Sequence, residues 1–451
     1  MLTPAAVLIL VAFLIIYWLT RDHIVLNNLL LITFGLLLIS WVNIWQALLL
    51  VFFLPLDYFL ITKIFPLNKW RVPGLYLGIV TNLCIWLSSR YFMGDYGSTM
   101  VSTVQIGASF YILRKLSFLI SAFQDPNFEQ HSFLEYGLYV TFFPQILSGP
   151  IERPKSFMKQ ISRTRKISEV DWYGCFHLII LGMFKKIAIA DNVRVIVDRI
   201  FQLNQANIIF VYIGTVLFAL QIFCDFSGYT DISRGIAGLM GFKTQENFDN
   251  PLLAQTPQDF WSRWHISLTQ WLQTYIFYPI HRYFQRKSLF PDWMNVFLAI
   301  MVTMMLSGYW HGSSLKYIVW GFYHGIFLYL FRIVGAQQWA RKKQKKWHFG
   351  MWFVTSHVIL IGWLIFRSND LGWLMNTLNQ GIRSPTREEW VVTVSIISQL
   401  LIFSFPLVLH YLINRNEQVA RVGNPIFTAV LAIVLIIFNF SGFQTFIYAG
   451  F

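Results

Sequence analysis

Apolar residues run along this chain in blocks too long and too continuous for a water-soluble fold. The blocks occupy residues 5–19, 26–40, 44–61, 74–88, 101–120, 133–147, 208–226, 296–307, 318–333, 352–366, 391–413 and 425–441. About 20 mostly apolar residues cross the hydrocarbon core of a bilayer as a helix. Only helices and closed barrels satisfy their backbone groups there. The pattern predicts an all-α polytopic membrane protein. It leaves no room for a separate soluble domain, so residues 1–451 read as one integral membrane domain. Between 166 and 261 the apolar runs are shorter, interrupted by Asp191, Asp198, Asp225, Asp231 and Arg234. Charged or non-helical backbone at membrane depth needs protein or a water-filled cavity around it, so broken helices lining a cavity are expected here.

Composition agrees. Charged residues make up 12% of the chain, where a soluble domain carries about 25%. The net charge of +14 is spread through short loops. That distribution is the positive-inside bias of membrane proteins and not the concentrated patch a nucleic acid would need. Arg282, Arg286 and Lys287, then Arg341, Lys342, Lys343, Lys345 and Lys346, then Arg415 and Arg421 mark cytosolic loops. This trace puts Trp310 and His311 towards the outer end of their span and the tail 442–451 outside. In the N-terminal half, Lys63, Lys69 and Arg71 and the stretch 153–166 both read as cytosolic, yet three apolar runs lie between them. One of the three is therefore re-entrant or peripheral, and 101–120, interrupted by Arg114 and Lys115, is the first candidate. The block 5–19 has neither a basic region before it nor a small-residue cleavage site, so it reads as a retained span. Cys84, Cys175 and Cys224 lie far apart and match neither a metal site nor a disulfide framework.

Three segments combine ionisable residues with glycine and aromatic residues, as a lipid-facing helix would not. The first, 221–235, reads QIFCDFSGYTDISRG. Gly228 can relax the backbone into a bend, and Asp231 and Arg234 are spaced to pair on one helical face. An internal salt bridge and a ligand contact both fit Asp225, Asp231 and Arg234. The second, 259–275, reads DFWSRWHISLTQWLQTY. Arg263 and His265 stand among Trp261, Trp264 and Trp271, which suits an interfacial amphipathic helix. It suits equally a site for a phosphate-bearing donor such as coenzyme A, with Arg263 pairing to phosphate. The third, 306–312, reads LSGYWHG. His311, between Gly308 and Gly312 and beside Trp310, is placed either for packing or for proton transfer near neutral pH. His324 reads as a hydrogen-bonded structural histidine, and His281, His348, His357 and His410 as interfacial. No GxSxG elbow, P-loop, HExxH or GxGxxG occurs, which argues against soluble hydrolases, NTPases, zincins and dinucleotide enzymes.

These segments, with FFPQILSGPIERPKSF at 142–157, resemble the signature of the membrane-bound O-acyltransferases, and within them the bacterial alginate O-acetyltransferase type. The resemblance implies a ring of about 11–12 transmembrane helices around a thinned centre, with re-entrant or broken helices and a through tunnel. It implies acetyl transfer from cytosolic acetyl-CoA, used as a substrate with no bound cofactor or metal, to an extracytoplasmic polysaccharide. An alginate-like exopolysaccharide or a cell-wall glycan is expected, in the inner membrane of a bacterium. It assigns His311 as the essential histidine and base, His265 as the second histidine, and Arg263, Trp264 and Trp261 to the donor. The partner it implies is a periplasmic acetyl-accepting SGNH or esterase-like protein. The tail FIYAGF at 446–451 resembles an F-x-Y-x-x-F ending in which the tyrosine, here Tyr448, holds the acyl group between donor and acceptor. An ordinary interfacial tyrosine is the other reading of Tyr448. Where the alginate type has Gly-Gly after the RWHISL helix, this chain has Tyr278, Pro279, Ile280 and His281, so the surrounding loop is expected to differ, and with it the substrate or partner. D-alanyl transfer to teichoic acid and acylation of a lipid are the alternatives within the family. A transporter is the alternative outside it, and the paired repeat that many transporters carry is not evident.

Overall fold

The computed structural model describes residues 4–91, 100–125, 127–146, 149–203, 207–335, 345–380 and 386–438. Among these residues the chain is helical, with one isolated antiparallel bridge between Phe248 and Trp264. Nine helical stretches among them are long and apolar enough to cross a membrane. The contacts group into two compact units, one built on Met1–Ile179 and Tyr229–Gln245, the other on Ile180–Gly228 and the described residues from Glu246 onward.

The first unit holds α1 (Pro4–Leu19), α2 (Ile24–Val42), α3 (Ile44–Phe59), α4 (Asn68–Tyr91), α5 (Met100–Gln124), α6 (Phe133–Thr141) and α7 (Pro154–Ile161). The second half of the run at 101–120 is packed inside protein. It lies in α5, whose Phe110, Leu119 and even Arg114 and Lys115 are buried. Charges so deep need partners. Lys115 Nζ lies 3.3 Å from Asp57, which also accepts from Asn82 and from the Tyr136 hydroxyl. Arg114 donates to the Tyr139 carbonyl and the Gln145 side chain. The run at 133–147, expected to span, gives only the nine residues of α6. Phe142 leaves the helical region, and Pro144 has no N–H for the next turn.

The second unit begins inside α8 (Trp172–Met183). A π-helical stretch (Phe184–Ala190) joins α8 to α9 (Asp191–Phe201), making one 30-residue rod. Next comes α10 (Ile208–Leu239), 32 residues long and continuous. The bend expected at Gly228 is absent. That glycine serves a close approach of helices instead, since a Cβ there would lie 2.7 Å from the Gly182 carbonyl oxygen. Asp225, buried in α10, meets the buried Lys186 at 2.6 Å, and Lys186 also reaches Asp191 at 2.8 Å. The break in the chain comes later, between α11 (Pro257–Arg263) and α12 (Ile266–Leu272). After α13 (Tyr278–Lys287), α14 (Asp292–His311) and α15 (Leu315–Ile333) form a tight hairpin. The unit is completed by α16 (Lys345–Arg367), α17 (Leu371–Asn379), α18 (Arg387–Asn414) and α19 (Glu417–Phe438).

Candidate active site

His265 stands where a single amphipathic helix was expected over 259–275. The helix is broken there. Trp264 is extended, and His265 takes the left-handed conformation (φ 44°, ψ 53°) as the N-cap of α12. A non-glycine residue in that region costs about 1–3 kcal/mol unless its surroundings hold it. The surroundings do so through the segment 247–249, laid against the break. The Asn247 carbonyl accepts from the Ile266 N–H at 3.0 Å, and the Asp249 N–H donates to the Arg263 carbonyl at 2.9 Å. Asn247 Oδ1 lies 3.2 Å from His265 Nδ1, and accepts from the Ser267 N–H at 3.1 Å and the Ser267 hydroxyl at 2.9 Å. His265 is 2% exposed. Burial, with the nearby His311 adding to it, pushes its imidazole well below the ordinary histidine range, so it is neutral at pH 7.

His311 is the last residue of α14 and is half-buried, while Ser313 and Ser314 just after it are exposed. It arrives there through backbone contact between α14 and α15. A Cβ on Gly308 would sit 2.0 Å from the Tyr317 carbonyl oxygen, and one on Gly321 would sit 2.2 Å from the Met304 carbonyl oxygen. Only hydrogen fits at either position. Gly312 is extended (φ −170°), so its need for glycine is steric: the Tyr317 ring fills the space a Cβ would take. The close hairpin puts Trp320 5.2 Å from the His311 ring, with Phe366 of α16 at 5.3 Å and Trp310 at 4.8 Å. Trp310 in turn lies 6.4 Å from His265. Two imidazoles, one enclosed and one at a helix end, therefore flank a single indole.

The other expected residues are placed differently. Trp264 is not on an interfacial surface. It is 2% exposed and packs against Phe260, Phe248 and Trp363. Arg263 pairs with Asp259 at 2.7 Å and Asp249 at 3.7 Å, so its charge is already engaged by carboxylates. Trp261 packs on Trp320 and His324. His324 sits edge-on among Trp261, Trp320 and Tyr323, and its Nδ1 has no hydrogen-bond partner among the described residues. Asp225 pairs with Lys186, whereas Asp231 and Arg234 lie 3.8 Å apart on one face of α10 within the first unit. Tyr448 lies outside the described residues. Sequence reasoning missed Asn247, Trp320 and Phe366. Asn247 sits in a polar loop with no periodicity, and the two rings join His311 only through the α14–α15–α16 packing.

A profile of the membrane-bound O-acyltransferase family matches residues 1–371. The probable alginate O-acetylase AlgI of Pseudomonas aeruginosa is 30% identical over 324 residues, covering 68% of this chain and 59% of that protein. The peptidoglycan O-acetyltransferase of Helicobacter pylori is 27% identical over 372 residues, covering 72% of this chain and 67% of that protein. The teichoic acid D-alanyltransferase of Bacillus subtilis is 31% identical over 242 residues, covering 51% of this chain and 60% of that protein. The chain thus spans about three fifths of the length of the alginate acetylases it matches.

Proposed function

The chain belongs to the membrane-bound O-acyltransferase family, and from that premise we propose that it acetylates a polysaccharide outside the bacterial inner membrane, using cytosolic acetyl-CoA. The observation that carries this reading is the pair of histidines around Trp310, with His311 half-buried at a helix end and His265 enclosed. In the proposed reaction an acceptor hydroxyl attacks the thioester carbonyl and gives its proton to His311. The tetrahedral intermediate then expels the coenzyme A thiolate, which takes that proton back. One ester C–O bond forms, one thioester C–S bond breaks, and the products are the acetylated acceptor and free thiol. General-base catalysis of this kind contributes about 10²–10⁴-fold.

Removal of the base tests it. In reconstituted vesicles fed labelled acetyl-CoA, His311→Ala should lower transfer at least about 100-fold, with the variant inserted at wild-type level. Wild-type turnover in that variant would refute the assignment. The similarity to a D-alanyltransferase favours a second reading, in which the donor is a thioester on a carrier protein. Supplying acetyl-CoA and a D-alanyl-charged carrier in parallel separates the two donors. A periplasmic acetyl-accepting protein is the proposed partner: its hydroxyl would be the immediate acceptor, and a second transfer from it would carry the acetyl group to the polymer.

A further inference from the structure

We propose that Asn247 is a positioning residue for this site, fixing His265 in the tautomer whose Nδ1 carries the proton and whose Nε2 presents a lone pair. The inference deepens the acyltransfer reading and rests on it for its catalytic consequence, while the proton on Nδ1 follows from the hydrogen-bond geometry.

The Asn247 amide has a fixed orientation. An amide group can be turned either way unless its neighbours decide. Here a backbone N–H decides, because the Ser267 N–H is a donor under all conditions and lies 3.1 Å from one end of the amide. That end must be the oxygen. The Ser267 hydroxyl, 2.9 Å away, adds a second donor to the same oxygen. An amide oxygen only accepts, so His265 Nδ1, 3.2 Å from it, must carry a hydrogen. Because His265 is neutral at pH 7, one proton on Nδ1 leaves Nε2 bare. His265 has little freedom to choose otherwise. Its backbone is pinned in the left-handed region by Ile266 pairing with Asn247, and its ring is held edge-on 4.7 Å from Phe226. Asn247 therefore grips His265 at both backbone and ring, and is itself 1% exposed. The Asn247 amide nitrogen has no hydrogen-bond partner among the described residues, which leaves the oxygen as the working end of the side chain. An acceptor behind one ring nitrogen sets the chemistry of the other. Held this way, His265 can accept a hydrogen bond or a proton at Nε2 but cannot donate from it while neutral.

The test uses the full-length protein in nanodiscs with ¹⁵N-histidine labelling, the His265 signals being assigned by their loss in His265→Gln. At pH 7.5 the neutral ring should show the nitrogen shifts of the Nδ1–H form. The Nε2–H form would overturn the proposal without reference to any activity. Asn247→Asp keeps an acceptor for both His265 and Ser267 while removing the amide nitrogen. It should keep the Nδ1–H signature and at least about one tenth of wild-type kcat. Asn247→Leu should mix the tautomers and lower kcat about 100-fold or more, with KM for acetyl-CoA changed less than about threefold, as when a general base is left in the wrong tautomer. If Asn247→Asp keeps the signature yet is as inactive as Asn247→Leu, the amide nitrogen is the working group and the positioning role is wrong. If wild-type protein transfers no acetyl group from any thioester, the proposed function fails while the tautomer result stands.

Discussion

Lys186 illustrates how single residues are settled in this protein. Its ammonium is buried between Asp225 and Asp191 at 2.6 and 2.8 Å, in a π-helical stretch of a membrane-crossing rod. A buried charge stripped of its partner is expensive, about 3–5 kcal/mol for a broken pair. Lys186→Met leaves two carboxylates facing each other at depth, so its melting temperature in detergent should fall sharply. Adding Asp225→Asn and Asp191→Asn to it should recover much of the loss. A melting temperature unchanged in the single variant would show that the triad does not hold the rod to α10. Asp225 was expected among ligand-contacting or salt-bridging groups of its own segment, and its partner proved to be 39 residues away. No local spacing rule reaches that far.

At the scale of elements, the hairpin of α14 and α15 delivers His311, and its glycines set the approach. Alanine is a better helix former than glycine by about 1 kcal/mol. At Gly308 this gain meets a clash, because the added carbon would stand 2.0 Å from a backbone oxygen that cannot swing aside. Overpacking of this kind costs about 1–3 kcal/mol. Gly308→Ala should therefore lower the melting temperature and, by moving Trp320 away from His311, reduce turnover. Gly350→Ala in α16 is the contrasting case, with open space around its Cβ, and should be neutral or slightly stabilising. Equal effects at the two positions would mean that helix packing does not set the site. The LSGYWHG segment marked this hairpin as special in the sequence, since its glycines flank His311. Gly228 looked similar and proved different: the sequence suggested a bend, and the fold uses it for contact with Gly182.

Across the whole molecule, sidedness remains the property that the proposed reaction depends on. The basic residues of α13 should lie in the cytosol, and the turn after His311 should lie outside. In a variant lacking Cys84, Cys175 and Cys224, Ser313→Cys should react with an impermeant maleimide added to intact spheroplasts. Gln285→Cys should react only after permeabilisation. The reverse pattern would place His311 on the donor side and invert the proposed path.

The sequence by itself determined that this is an all-helical membrane protein, roughly where its spans lie, and that His311 and His265 belong to segments of unusual chemistry. Hydrophobic length and motif content are local properties, so they can be read without the fold. Only the tertiary structure decided that α10 is unbroken at Gly228, that the chain breaks at His265, that Trp264 is interior, and that Asn247 stands behind the buried imidazole. The left-handed residue there is a histidine, with no glycine or proline to announce it, and it is held by hydrogen bonds from a segment some eighteen residues earlier. Such a conformation is stable only because distant backbone satisfies it, and distance along the chain hides that from any reading of neighbours.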